Sequence, residues 1–389
     1  MENKCLKLVI NLGVAALCVF YLIWSVYPIA TESQKYQWDF KTYYYASVAY
    51  RQGKNPYDTH TISEIAGEKL FSFAYPPFTL LFFQIFGLFE YHTAHYLYLI
   101  LKLVMISATV LIWFRIMKKP DLHFLLFALI GFNSAVLHDL AAGNISVIEQ
   151  FLIWLGIYFL LEKKIKIFSL FVIAASIFKI TPIFLLALAL FQDTKNRVKT
   201  FLLALAFFLL IFLCAYFVMP AEFSNYFGNL AGLSELGVSS MSVIKAVAIF
   251  TELIFGIHVR QHIITILFVP VAVILLVVLL KFILVIRTQK NESRLAVIFF
   301  SILTYALILP RFKEYGYILL IPSVYFIFKK FGKERLLIIA SFIIYCLPVF
   351  GLGNYRIPYL MFYHYGPLII SYIAWLLYII KYKVISKTK

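Results

Sequence analysis

Residues 8–29, LVINLGVAALCVFYLIWSVYPI, lead into residues 38–58, WDFKTYYYASVAYRQGKNPYD, and this junction decides how the chain is read. The first stretch is apolar for about 20 residues, enough for a helix to cross a hydrocarbon layer about 30 Å thick. The second is a polar island. Asp39 and Asp58 bracket tyrosines 43, 44, 45, 50 and 57, with Lys41, Arg51 and Lys54 among them. Clustered acid, tyrosine and base at the exit of a span are hard to explain as scaffold. The island reads as one wall of an active site at the outer membrane surface.

Outward from this junction the chain stays oily. Of its 389 residues, 63% are hydrophobic and 14% charged, and the mean hydropathy is +0.90. A soluble core does not need that composition; a chain of repeated spans does. The net charge of +17 would suit nucleic acid, but the basic residues sit in short clusters between apolar runs. That is the positive-inside pattern of a polytopic membrane protein, and nucleic acid is excluded as a partner. Lys4 and Lys7 precede the first run, which is long for a signal core and ends in the poor cleavage sequence PIAT. An uncleaved first span is expected. Cys5, Cys18, Cys214 and Cys346 imply no disulfide framework and show no metal-type spacing.

Placing the clusters Arg115/Lys118/Lys119, Lys163/Lys164/Lys166, Lys195/Arg197/Lys199, Arg287/Lys290/Arg294, Lys329/Lys330/Lys333/Arg335 and Lys381/Lys383/Lys387/Lys389 in the cytoplasm fixes the path. Spans are expected near 8–29, 92–114, 122–138, 146–161, 199–219, 263–286, 295–309, 315–328, 335–350 and 366–381. Two stretches do not fit. Residues 76–90 are short and open on two prolines, so they are expected to lie as a helix at the outer interface. Residues 167–191 have inside-type clusters at both ends, and each limb reaches only about 18 Å. A re-entrant pair is expected, broken at Phe178–Pro182, with Lys179 on the floor of a cavity.

The expectation is an all-α polytopic membrane protein, a single integral domain over 1–389. It has about ten full spans, the re-entrant pair and the interfacial helix. Both termini would be cytoplasmic in the plasma (inner) membrane. Outer loops at 30–91, with the candidate catalytic helix, and at 220–262 put function on the extracytoplasmic side. No internal repeat is visible.

Several blocks then converge on one likeness. Asp39-Phe40, Tyr43-Tyr44, Ala46, Arg51, Gly53 and Asn55-Pro56-Tyr57-Asp58 resemble the DF..YY.A….(R).G.NPYD signature of glycosyltransferase family 87. Tyr75-Pro76-Pro77-Phe78 resembles its YPP segment, and Lys179-Ile180-Thr181-Pro182 its K-x-T-P element. Ala142-Gly143-Asn144-Ile145-Ser146 is similar to its G-Q-x-N element, with Asn for Gln and Ser for Asn. Ser240-Met241-Ser242 is a weaker echo of an N-Q-S element. Pro310 to Tyr315 lies where the family carries P-x-x-W-x-x-H, but Trp and His are missing. The resemblance implies a GT-C fold and a polyprenyl-phosphate-sugar donor, mannose by family habit, with a lipid or glycan acceptor.

The chemistry is consistent without the name. A transferase using a lipid-linked sugar needs a base for the acceptor hydroxyl and cations for the departing phosphate. Asp39 is the candidate base. Lys179 is the candidate phosphate ligand, with Arg51, Arg311 and Lys313 as further candidates. Tyr43, Tyr44, Tyr50 and Asn144 are candidates for sugar or acceptor contacts. Asp139, beside His138 at the outer end of a span, is a second possible acid. No nucleotide-type glycine loop is present. The outer loops hold no D-x-D pair, so neither metal nor another cofactor is called for.

Plainer readings stand beside these. Asp39 could cap a helix, Lys179 could snorkel and the tyrosines could form an interfacial belt. Asp58 suits a turn or cap, and Tyr75 to Phe78 suits a helix start. The competing functions are a transporter or flippase of lipid-linked glycans and a non-catalytic assembly subunit.

Overall fold

The computed structural model of the chain describes residues 2–118, 121–192, 195–232, 242–258, 260–287, 293–349 and 359–383. Among these residues every regular element is helical. The chain falls into two compact units, Met1–Ile116 with Leu137–Leu233, and Met117–Val136 with Ser234–Lys389.

The first unit carries α1 (Glu2–Thr31), α2 (Trp38–Arg51), α3 (Thr59–Ala66), α4 (Pro77–Gln84) and α5 (Tyr91–Met117). The end of α6 (Leu122–Ala142) follows, then α7 (Ser146–Leu161), α8 (Ile165–Phe178), a 3-10 segment at Thr181–Phe191, α9 (Arg197–Val218) and α10 (Pro220–Gly232). Here α2 packs on α3 and α4, α4 touches α8, and α8 lies against α7, the 3-10 segment and α9. An aromatic core joins them. The Phe40 ring stacks on Tyr98 at 4.2 Å between centroids, and Phe83 packs on Tyr43 at 4.7 Å. Such large rings bury much apolar area for little side-chain entropy.

Proline sets two boundaries here. Pro77 opens α4 at its first position, where a missing N–H costs nothing. Lys179 is extended (φ −141°, ψ 132°) and ends α8, and Thr181-Pro182 restarts the chain as a 3-10 helix. The break therefore falls at the expected residues. The short 76–90 stretch is α4 followed by a 3-10 turn at Phe86–Leu88.

The second unit holds the first part of α6, then α11 (Val243–Phe255), α12 (Gln261–Arg287), α13 (Ser293–Ile308), a 3-10 segment at Glu314–Leu320, α14 (Ile321–Lys330), α15 (Glu334–Cys346), a π-helical turn at Tyr359–His364 and α16 (Gly366–Lys381). Phe282 stacks on Phe300 at 4.1 Å. Trp375 Nε1 donates to Thr304 Oγ1 at 3.0 Å, and Tyr378 Oη donates to the Ser323 carbonyl at 2.9 Å. These bonds satisfy polar atoms inside an apolar bundle.

One expected span differs in kind. Residues 122–138 read as a straight helix, yet Phe132, Asn133 and Ser134 all adopt left-handed φ near +55° to +58°. Gly131 leaves the helix in extended geometry, and a Cβ there would lie 2.8 Å from the Phe127 ring. The freed groups find partners: Ser134 Oγ donates to the Leu129 carbonyl at 2.7 Å and Asn133 Nδ2 to the Tyr363 carbonyl at 2.6 Å. Broken backbone at membrane depth is tolerated where protein surrounds it.

Among the described residues, four helices are long and apolar enough to cross a membrane: Tyr91–Met117, Leu122–Ala142, Arg197–Val218 and Ile263–Ile286. Cys18–Thr31, Ser146–Leu161, Ile165–Phe178, Thr181–Phe191, Arg294–Ile308 and Gly366–Lys381 are apolar but shorter. The protein is all-helical and of membrane type.

Candidate active site

The turn between α6 and α7 gathers polar side chains from four elements of the first unit. Gly143 makes this possible. Its φ is +66°, and a Cβ there would lie 2.8 Å from Gln37 Cβ and 2.9 Å from Phe40 Cβ. Only glycine combines that conformation with so close an approach of α2. Gln37, itself left-handed, precedes α2 and donates its N–H to the Ala141 carbonyl at 2.6 Å. Two backbones are thus locked together, and Asp39 follows in the first turn of α2.

Asn144 is the hub. Its Nδ2 donates to Asp39 Oδ2 at 2.6 Å, and it lies 3.1 Å from both Tyr43 Oη and Tyr75 Oη. Tyr43 Oη also donates to Tyr75 Oη at 2.8 Å. On its other side, Asn144 Oδ1 accepts from Ser146 N at 3.0 Å and Ser146 Oγ at 2.8 Å. Ser146 Oγ in turn accepts from Lys179 Nζ, and Lys179 Nζ pairs with Glu149 Oε2 at 2.8 Å. A continuous hydrogen-bonded path therefore runs from Asp39 to Lys179. The Thr79 hydroxyl of α4 donates to the Ile177 carbonyl at 3.3 Å, just before the break that carries Lys179.

Beneath the hub lies a sealed ion pair. Lys102 Nζ contacts Asp139 Oδ1, with neither side chain exposed. The same ammonium donates to the carbonyls of Asp139 at 2.6 Å and Asn144 at 2.8 Å. The Lys179–Glu149 pair is more open, its side chains 25% and 9% exposed.

The first unit thus brings together Asp39, Tyr43, Asn144, Asp139 and Lys179. It does not bring the others there. The Tyr44 hydroxyl donates to the Phe89 carbonyl at 2.8 Å. Tyr50 is half-buried farther along α2, and Arg51 is exposed at its last turn, about 18 Å along the helix from Asp39. Arg311 and Lys313 are half-buried in the second unit, before the 3-10 segment at Glu314–Leu320. Ser240 and Met241 of the weak N-Q-S echo lie outside the described residues; Ser242 caps α11 by accepting from Lys245 N.

The plainer readings sort themselves by geometry. Gln37, not Asp39, stands at the cap of α2, and the Asp39 carboxylate turns to Asn144 instead. Asp58 does cap α3, accepting from His60 N at 3.2 Å and Thr61 N at 3.1 Å. Its bond from the Thr61 hydroxyl, helped by those amides, holds its carboxyl below the usual value of 3.8. Tyr57 of the same block donates to the Tyr75 carbonyl at 2.8 Å, and burial pushes its phenol pKa up.

A model of glycosyltransferase family 87 matches residues 73–310. The chain belongs to that family. It is a membrane glycosyltransferase, and the suspicion raised by its motifs holds. The match takes in Tyr75, Asn144, Ser146, Glu149 and Lys179 and begins downstream of Asp39. No curated protein and no solved structure matches the chain.

Four residues of this cluster were not among the expected site residues. Glu149 and Lys102 were visible as charges inside apolar runs, which is itself a signal of function or pairing. Ser146 stood within a quoted motif without a role. Tyr75 was read as helix-start geometry, and nothing in its spacing pointed to Asn144.

Proposed function

We propose that this protein moves a hexose, mannose by family habit, from a polyprenyl-phosphate donor to a lipid or glycan acceptor at the extracytoplasmic face. Asp39 takes the proton of the acceptor hydroxyl. The acceptor oxygen attacks the anomeric carbon as the bond to the phosphate breaks, and polyprenyl phosphate leaves with the bonding electrons. Lys179 receives the departing phosphate, and the product is inverted. The GT-C arrangement, cytoplasmic termini and a re-entrant 167–191 pair entering from the cytoplasm belong to the same reading.

The single observation that supports it is the path Asp39–Asn144–Ser146–Lys179. It holds a base and a cation in one frame, and fixed geometry is what a displacement needs. The Asn144 amide, donating to one carboxylate oxygen, orients Asp39. Asp139 fits the base role less well, because it is sealed and neutralised by Lys102. Tyr43 is buried, its hydroxyl bonded to Tyr75 and Asn144, and so helps to hold this frame, while the contacts of Tyr44 favour packing.

The test is transfer by the full-length chain in vesicles. Radiolabelled polyprenyl-phosphate mannose and membrane lipid extract are supplied, and products are read by mass spectrometry. A new glycosylated species that requires Asp39 supports the reading. Movement of the labelled donor between leaflets without transfer would instead favour the flippase.

A further inference from the structure

The Tyr75 phenol touches both Asn144 and Tyr43. Its oxygen accepts from Tyr43 Oη at 2.8 Å and from Asn144 Nδ2 at 3.1 Å. A phenol oxygen has one proton to give and two lone pairs to receive with. Both lone pairs thereby face donors, the second sharing one Asn144 N–H with Tyr43. Among the described residues, the Tyr75 proton meets no acceptor. The side chain is half-buried.

Such a hydroxyl is a donor only. A sugar hydroxyl both gives and receives and could meet it on one side alone. A phosphoryl oxygen only receives, and its charge roughly doubles the strength of the bond. Two donors feeding the same oxygen also polarise its O–H further. The surroundings agree, because among the described residues the charged Lys179 and Asp39 reach this phenol with their fields.

We propose that Tyr75 is a phosphate-binding residue, donating its proton to a phosphoryl oxygen of the lipid-linked substrate while Lys179 supplies the charge. This rests on the phosphate-lipid reading given above. The NPYD block then acquires a purpose: Tyr57, by donating to the Tyr75 carbonyl, fixes the backbone from which this phenol projects. The YPP segment couples that phenol to the start of α4, whose Thr79 reaches the backbone just before Lys179.

The experiment compares two lipids that differ only in the headgroup, polyprenyl phosphate and the uncharged polyprenol, on the full-length protein in phosphatidylcholine nanodiscs. Affinities are measured for wild type, Tyr75→Phe and Lys179→Met. Phenylalanine keeps the ring packing and removes only the hydroxyl. Wild type is expected to prefer the phosphate lipid. Tyr75→Phe is expected to lose roughly 10- to 100-fold of phosphate-lipid affinity, the range for one hydrogen bond to a charged group, with polyprenol binding unchanged. A fall for both lipids together would mean disturbed packing and would overturn the proposal. So would a Tyr75→Phe protein with wild-type selectivity, which would show the phenol proton spent on Tyr43. A wild type that does not distinguish the two lipids overturns the phosphate-lipid reading as well, which separates the two failures.

Discussion

Two lysine–carboxylate pairs serve the same turn and differ in what surrounds them. Lys102–Asp139 has no exposed surface and holds the backbone carbonyls of the α6–α7 turn. Lys179–Glu149 is partly open and reaches the side chains of that turn through Ser146. A sealed pair gains little net stability from its attraction, but removing one partner strands a charge. An open pair can exchange one partner for an incoming anion. The comparison teaches that burial, not residue type, separates the two pairs.

The sharpest way to break that contrast is to unpair the sealed site. Lys102→Met leaves Asp139 uncompensated and should destabilise by about 3–5 kcal/mol, read as a lowered detergent melting temperature. Lys102→Met with Asp139→Leu should recover most of that loss, since an apolar pair can replace a buried ion pair. If Lys102→Met melts like wild type, the pair is not the staple described.

Asp39→Asn comes next, and it tests chemistry without touching either lysine. The amide keeps the size of the side chain and loses the base. Transfer should fall at least about 100-fold, in line with general-base contributions, with melting unchanged. Because Gln37 occupies the cap of α2, Asp39→Ala should be equally slow and nearly as stable. An active Asn variant would send the search for a base elsewhere.

The open pair should respond differently from the sealed one. Lys179→Met should abolish most transfer, roughly 10- to 100-fold for a lost charged contact, and Lys179→Arg should restore it in part. Lys179→Met alone also leaves Glu149 without its cation. Lys179→Met with Glu149→Gln should therefore recover expression but not turnover. Recovery of both would demote Lys179 to a structural role.

The smallest effect is expected at the cap of α3. Asp58→Ala should cost about 1 kcal/mol as a lost cap, and Asp58→Asn much less. The sign of the pH dependence follows from the lowered carboxyl value. The charge helps folding above the ordinary 3.8, and the help fades as pH falls through the lower folded value. An acid melt of wild type against Asp58→Asn, whose stability difference should hold above about pH 4 and shrink below it, checks it.

The hydrophobic pattern alone was enough for the all-helical class, the helices at Ser146–Leu161 and Gly366–Lys381 and the break at Lys179, because span length and proline chemistry are local. The same locality made Asp58 legible as a cap. The left-handed break at 132–134 was not legible, since its stability rests on Asn133 reaching Tyr363, far away in sequence. Nor could spacing reveal that Tyr75 and Ser146 share Asn144. The amino-acid sequence determined which segments are helical, where they must stop and which family the chain joins. The tertiary structure decided which charges meet, because a side chain's partner in a buried site is set by packing between segments that the order of residues does not bring together.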